Sequence, residues 1–202
     1  MILQCLIQQF FINEKAEYIT CSLDSIKRES IQHIVFPENK NYINNTIENY
    51  LNSNSVRRMK IICFGTNRFG RIIDSIMTIH SSVHLDLVLC SPNETVIDLQ
   101  FDKQRLIKIV NELRHVKNIS LHPSYVPPTI RACVLYSDND KPIFCVVQPY
   151  YLFADENSFK LRAEGHSPAM IADCKDEALL NRLVDSFNVE YDRLLTFSSN
   201  NI

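Results

Sequence analysis

The 202-residue chain has no tryptophan and only three glycines, Gly65, Gly70 and Gly165, about 1.5% against a usual ~7%. That scarcity excludes collagen-like and Gly-rich linker architectures, and it implies that each glycine stands where the backbone has a special need. Net charge is also scarce. The 21 lysines and arginines against 23 aspartates and glutamates leave −2. No global field draws the chain to nucleic acid or an anionic membrane, so any phosphate contact has to be local. The seven cysteines (Cys5, Cys21, Cys63, Cys90, Cys133, Cys145, Cys174) include no Cys-x-x-Cys pair. This argues against a zinc site or disulfide framework and for buried thiols in a reducing cytoplasm. No run reaches the ~20 apolar residues of a membrane helix. The opening MILQCLIQQFFIN is apolar but lacks a basic start and is broken by Gln4, Gln8 and Gln9, so it does not read as a signal peptide.

What is present is 46% hydrophobic and 22% charged, a globular composition long enough for one domain with a short extension. Residues 1–40 read as an N-terminal extension about a hairpin in size, 41–197 as an α/β domain, and 198–202 as a frayed tail. In the domain, Ile43, Ile47, Tyr50 and Leu51 share a helical face. KIICF reads as a buried strand, and RIIDSIMTIH as a helix with Ile72, Ile73, Ile76 and Met77 inward. HLDLVLC is a second strand closed by Ser91, Pro92 and Asn93. Phe101 to His115 is a helix with Leu106, Ile107, Val110 and Leu113 on one face, and NISLH is a third strand. VPPTI forces an extended crossing. IRACVLY and IFCVVQPYYLF then read as an antiparallel hairpin around SDNDKP, SPAMIAD as a short strand, and Asp176 to Leu195 as a final amphipathic helix. Parallel βαβ units followed by a hairpin predict a mixed central sheet flanked by helices.

The most informative local feature is GTNRFGR, between a strand and a helix. Its glycines let a backbone approach a ligand, and the amides opening the helix at Gly70 point at an anion. A phosphate loop needs Lys and a hydroxyl where this chain has Arg71 and Ile72, and the three-glycine dinucleotide fingerprint is absent. Charge remains: Arg57, Arg58, Lys60, Arg68 and Arg71 form a run with no acidic residue. It suits a phosphate or carboxylate at the strand's end; the plainer reading is a solvated loop with turn glycines.

The second feature is RACVLYSD, Arg131 to Asp138. Together with the order of elements over residues 42 to 197, it resembles the phospholipase D-like superfamily, whose hairpin strand carries His, one residue, Lys, four residues, Asp. That register falls on Arg131, Cys133 and Asp138, so only the Asp matches. The resemblance assigns the missing His the attack on phosphorus and the missing Lys the hold on phosphate oxygens. Arg131 stays protonated and cannot be a nucleophile, and Cys133 cannot supply the charge of Lys. The resemblance therefore implies a scaffold that has lost phosphodiester cleavage and keeps an anion pocket, with Arg131 binding rather than reacting. It also implies a close dimer and a sensor role of the kind attached to helix-turn-helix regulators, although residues 1–40 show no complete helix-turn-helix.

Plainer readings cover the rest. His80 and His84 have zinc-like spacing but straddle a helix end and a strand start. His166, after Gly165, is a turn histidine or an extra acid, base or anion donor. Tyr150, Tyr151 and Phe153 continue a hairpin strand as core and edge, and Asp138, Asp140, Asp155 and Glu156 are turn and cap residues. The expectation is a non-catalytic regulatory module, without metal or cofactor, binding an anionic ligand or a protein through Gly65, Arg68, Gly70, Arg71, Arg131 and His166. Two alternatives stay open: a phosphodiesterase or nuclease that uses His166 or Cys133, and an interaction module that docks through residues 1–12. Contact with nucleic acid is undecided by composition.

Overall fold

A computed structural model describes residues 34–35, 40–65, 69–90, 103–154, 161–164 and 168–198. The chain divides into two units, Met1–Ile34 and Val35–Ile202. The expected N-terminal extension, including residues 1–12 of the docking alternative, lies almost wholly outside the described residues.

Nine strands are described: β1 (Ile34–Val35), β2 (Arg58–Cys63), β3 (His84–Cys90), β4 (Ile119–Ser124), β5 (Ile130–Tyr136), β6 (Pro142–Pro149), β7 (Tyr151–Ala154), β8 (Leu161–Glu164) and β9 (Ala169–Asp173). The helices are α1 (Lys40–Asn52), α2 (Gly70–Thr78), α3 (Lys103–Leu113) and α4 (Glu177–Thr196). The main sheet has the order β1-β9-β6-β5-β2-β3-β4, and β7 and β8 form a separate two-stranded sheet. β2, β3 and β4 are parallel. β5 lies antiparallel to β2 on its other side, and β6 and β9 continue antiparallel. The sheet is thus mixed and the domain α/β. Among the described residues no helix is long and apolar enough to cross a membrane.

Strand alternation sends successive side chains to two different cores. On one face Met59, Ile61, Cys63, Leu85, Leu87, Leu89, Cys133 and Leu135 pack beneath Ile47 and Leu51 of α1, Ile72 and Ile76 of α2, and Val110 and Leu113 of α3. On the other, Ile62, Val88, Ala132, Val134, Cys145 and Val147 meet Leu180, Leu183, Val184, Phe187, Tyr191 and Leu194 of α4. Burial on both faces is why the central strands read as unbroken apolar runs. Asp176 starts α4 by accepting from the Leu179 N–H at 3.0 Å.

Two expectations need correction. Ile107 is 37% exposed, and Ile109 packs on the core in its place. At ~100° per residue Ile107 lies about 90° from the line through Val110 and Leu113, and Ile109 about 70° on the other side. The stretch from Ile143 to Phe153 is two strands, because Pro149 has no N–H and Tyr150 lies outside both. Tyr151 and Phe153 therefore leave the hairpin for the β7–β8 ribbon.

The proline-rich crossing that delivers β5 is held by α4. Glu190 Oε1 accepts from the Thr129 N–H at 2.6 Å and the Thr129 hydroxyl at 3.0 Å, and Arg193 donates to Glu190 at 2.7 Å and to the Pro127 carbonyl at 3.0 Å. This strap fixes the chain just before Arg131.

Candidate functional site

β2, β5 and β6 bring one polar cluster to the carboxyl end of β2. In the hairpin register Arg131 faces Gln148. Alternation places Arg131 on the same face as Cys133 and Leu135, the face that α2 covers. Its Nε donates to Tyr150 Oη at 3.1 Å and its Nη1 to Gln148 Oε1 at 3.1 Å. The guanidinium carbon stands 5.0 Å from the centre of the Tyr150 ring. Tyr150 Oη also accepts from the Phe64 N–H at 3.2 Å, and the Phe64 and Tyr150 rings meet edge to face at 4.5 Å. Burial pushes the Tyr150 hydroxyl pKa up against the opposing charge of Arg131, so it remains a protonated phenol.

Arg131 differs from four other arginines in what holds it. Arg57 pairs with Asp138, Arg58 with Asp86 at 2.7 Å, Arg71 with Glu48 at 2.6 Å, and Arg193 with Glu190 at 2.7 Å. Among the described residues no carboxylate sits on Arg131, and its partners are neutral. A half-buried guanidinium held this way keeps its full charge for something else.

Among its described residues the basic run is met by carboxylates or turned to another face, not gathered about Arg131. It is acid-free only along the chain, because folding brings a carboxylate to Arg57, Arg58 and Arg71. Arg71 is turned toward α1, where Glu48 takes two of its nitrogens and Asn45 accepts at 3.0 Å. It is not brought onto the partners of Arg131. Lys60 lies on the opposite face, its ammonium 4.7 Å from the centre of the Tyr191 ring and 5.7 Å from that of Tyr136. Arg68 and His166 lie outside the described residues. Gly65 follows Phe64 directly beside the cluster, and Gly70 opens α2. No described glycine has a positive φ, and a Cβ at Gly70 would meet nothing within 4 Å, so Gly70 answers no steric or conformational need.

Cys133 is fully buried, and burial raises its thiol pKa well above the ordinary value. It is unfit to be a nucleophile. Cys63 is pushed to about 12 by the same cause. A thiol reagent at neutral pH is expected to label exposed Cys174 in the native state and to reach Cys63, Cys133 and Cys145 only after unfolding, as peptide mass mapping would show. Native labelling at Cys133 would contradict this packing. His84 does not complete a hydrolytic triad, because Asp86 Oδ1 (3.2 Å) and Ser120 Oγ (3.1 Å) both contact the same ring nitrogen, Nε2. No group of three His, Cys, Asp or Glu among the described residues is arranged to hold a metal ion.

Sequence reasoning missed Gln148 and Tyr150. The turn alone does not find them: with SDNDK as the turn and Tyr136 opposite Pro142, regular pairing sets Val147 against Arg131, and a one-residue register shift between Leu135 and Tyr136 brings Gln148 there instead, with Tyr150 just beyond.

No family model matches the chain, and no curated protein does. Among solved structures it is similar to NucT from Helicobacter pylori, at 13% identity over 82% of this chain and 95% of that one, with a TM-score of 0.46. It is also similar to TrmBL2, an archaeal chromatin protein described as having a novel mode of DNA binding. The identity there is 11% over 94% of this chain and 64% of that one, with a TM-score of 0.42.

Proposed function

We propose that the chain is a non-catalytic, phospholipase D-like module that binds an oxyanion at Arg131 and reports it to a partner or to a second copy. One observation carries this reading: Arg131 is half-buried, oriented by Tyr150 and Gln148, and faces no carboxylate among the described residues. A guanidinium forks onto two oxygens of an anion and stays charged at any physiological pH, so it suits binding and not nucleophilic attack. α2 begins on the same face at the same end of the sheet, with no side-chain cap at Phe69, and its amides add favourable potential for an anion. The arrangement falls where the phospholipase D-like register places its reactive histidine. A nuclease would need His166, because Cys133 is sealed in the core.

Calorimetric titration with inorganic phosphate tests the reading. A charge-assisted contact worth ~1.5–3 kcal/mol makes Arg131→Ala lower affinity roughly 10- to 150-fold. Arg131→Lys should recover part of it, since lysine keeps the charge but loses the fork. Unchanged affinity in Arg131→Ala would sink the proposal.

A further inference from the structure

The donors at this site outnumber its acceptors. A guanidinium carries five N–H groups. Arg131 spends one on Tyr150 and one on Gln148, so three remain without an acceptor among the described residues. Tyr150 Oη accepts from both Arg131 Nε and the Phe64 N–H, which occupies its lone pairs and leaves its own O–H as a donor. No described residue accepts that O–H, although Tyr150 is only 9% exposed. A mostly buried donor without an acceptor is costly, and such groups are normally satisfied by protein, water or ligand. Among the described residues, three N–H groups and one O–H thus stand open in one cluster with nothing of opposite sign beside them.

Resting on the reading that Arg131 binds an oxyanion, we infer that Tyr150 is the second ligand-binding residue of that site and that the pair selects a phosphate with at least three unsubstituted oxygens. Inorganic phosphate and a phosphomonoester share that chemistry. Two of their oxygens engage the open Arg131 nitrogens, and a third accepts from Tyr150. A carboxylate has only two oxygens, and the guanidinium fork takes both. A phosphodiester also has only two unsubstituted oxygens, so it leaves the tyrosine donor unmatched. The distinction separates a receptor for terminal or free phosphate from a reader of phosphodiester chains.

Calorimetry at constant ionic strength with inorganic phosphate, glycerol 3-phosphate, dimethyl phosphate and acetate tests this on the wild-type chain, Tyr150→Phe and Arg131→Ala. Phosphate or the monoester should bind at least 10-fold more tightly than dimethyl phosphate or acetate. Whichever of the two binds more tightly shows whether the site takes free or esterified phosphate. Tyr150→Phe keeps the ring and should cost phosphate about 10-fold while leaving the weak ligands unchanged. Suppose dimethyl phosphate or acetate matches phosphate, or Tyr150→Phe binds phosphate normally, while Arg131→Ala still loses binding: the selectivity inference then falls and the anion reading survives. If no anion binds, or Arg131→Ala binds as the wild type does, both fall. Should Tyr150→Phe fail to fold, the ligand series on the wild-type chain decides alone.

Discussion

Phe187→Ala is expected to lower stability by about 3–5 kcal/mol, a fall in Tm of roughly 6–20 °C for a chain of this size. Phe187 has no exposed surface, and its ring stacks on Tyr191 at 5.5 Å. It sits midway along α4, the one described helix packed on its face of the sheet. Beneath it the strands contribute small residues, Ala132 and Ala172, which let the helix approach closely. Truncating the ring leaves a cavity in this packed core, and the cavity term adds to the lost burial. Val189→Ala on the same helix is the control. Val189 is 73% exposed, and its truncation should change stability by less than about 0.5 kcal/mol. Denaturant unfolding of the two variants measures both numbers; a loss below about 1 kcal/mol at Phe187 would mean that this core is not packed as described.

Glu190→Ala is expected to cost about 3–5 kcal/mol, because it removes one partner of a largely buried ionic network. Glu190 is 7% exposed and holds the Thr129 N–H, the Thr129 hydroxyl and Arg193 together. Without it the Thr129 amide loses its acceptor and Arg193 keeps only the Pro127 carbonyl. Burial alone would raise the Glu190 pKa, but the Arg193 hydrogen bond, the two bonds from Thr129 and the Arg193 charge outweigh it and hold the carboxyl below its usual value. A carboxyl depressed in the folded state stabilises the fold fully above its unfolded pKa. That contribution is lost as pH falls through the lower folded value. Acid titration of stability should therefore show a loss beginning below about pH 4.5 that is flattened in Glu190→Gln, where nothing titrates. Equal acid sensitivity in wild type and Glu190→Gln would assign the acid response elsewhere.

Much of the fold was legible because periodicity survives in single elements. α2 announces itself by Ile72, Ile73 and Ile76, and α4 by eight apolar positions at helical spacing. β3 is bounded as HLDLVLC suggests. What was illegible depended on contacts between segments distant in sequence. The run from Arg57 to Arg71 looks like a cationic cradle until partners 81, 28 and 23 residues away reach Arg57, Arg58 and Arg71. Arg131 could be chosen from the hairpin-strand register. Its partners Gln148 and Tyr150, 17 and 19 residues on, become visible only when the hairpin closes. Tyr150 was hardest to see, because an aromatic residue in an apolar strand looks like packing. Its role depends on a strand break at Pro149, which lets its hydroxyl meet the end of β2.

The sheet order also sets a sequence of events during folding. β2, α2, β3, α3 and β4 are neighbours along the chain and can assemble by local closure, but β2 gains its second partner only when β5 arrives from far downstream. Even then Ile62, Val88, Ala132 and Val134 present bare apolar surface until residues 177–196 have been made and have docked. During synthesis the residues of the first core, 43–171, are therefore all made before the helix that covers the second face, which leaves the chain at a stage with that face open. During that stage its yield depends on how quickly α4 docks, relative to how quickly another copy meets the uncovered face.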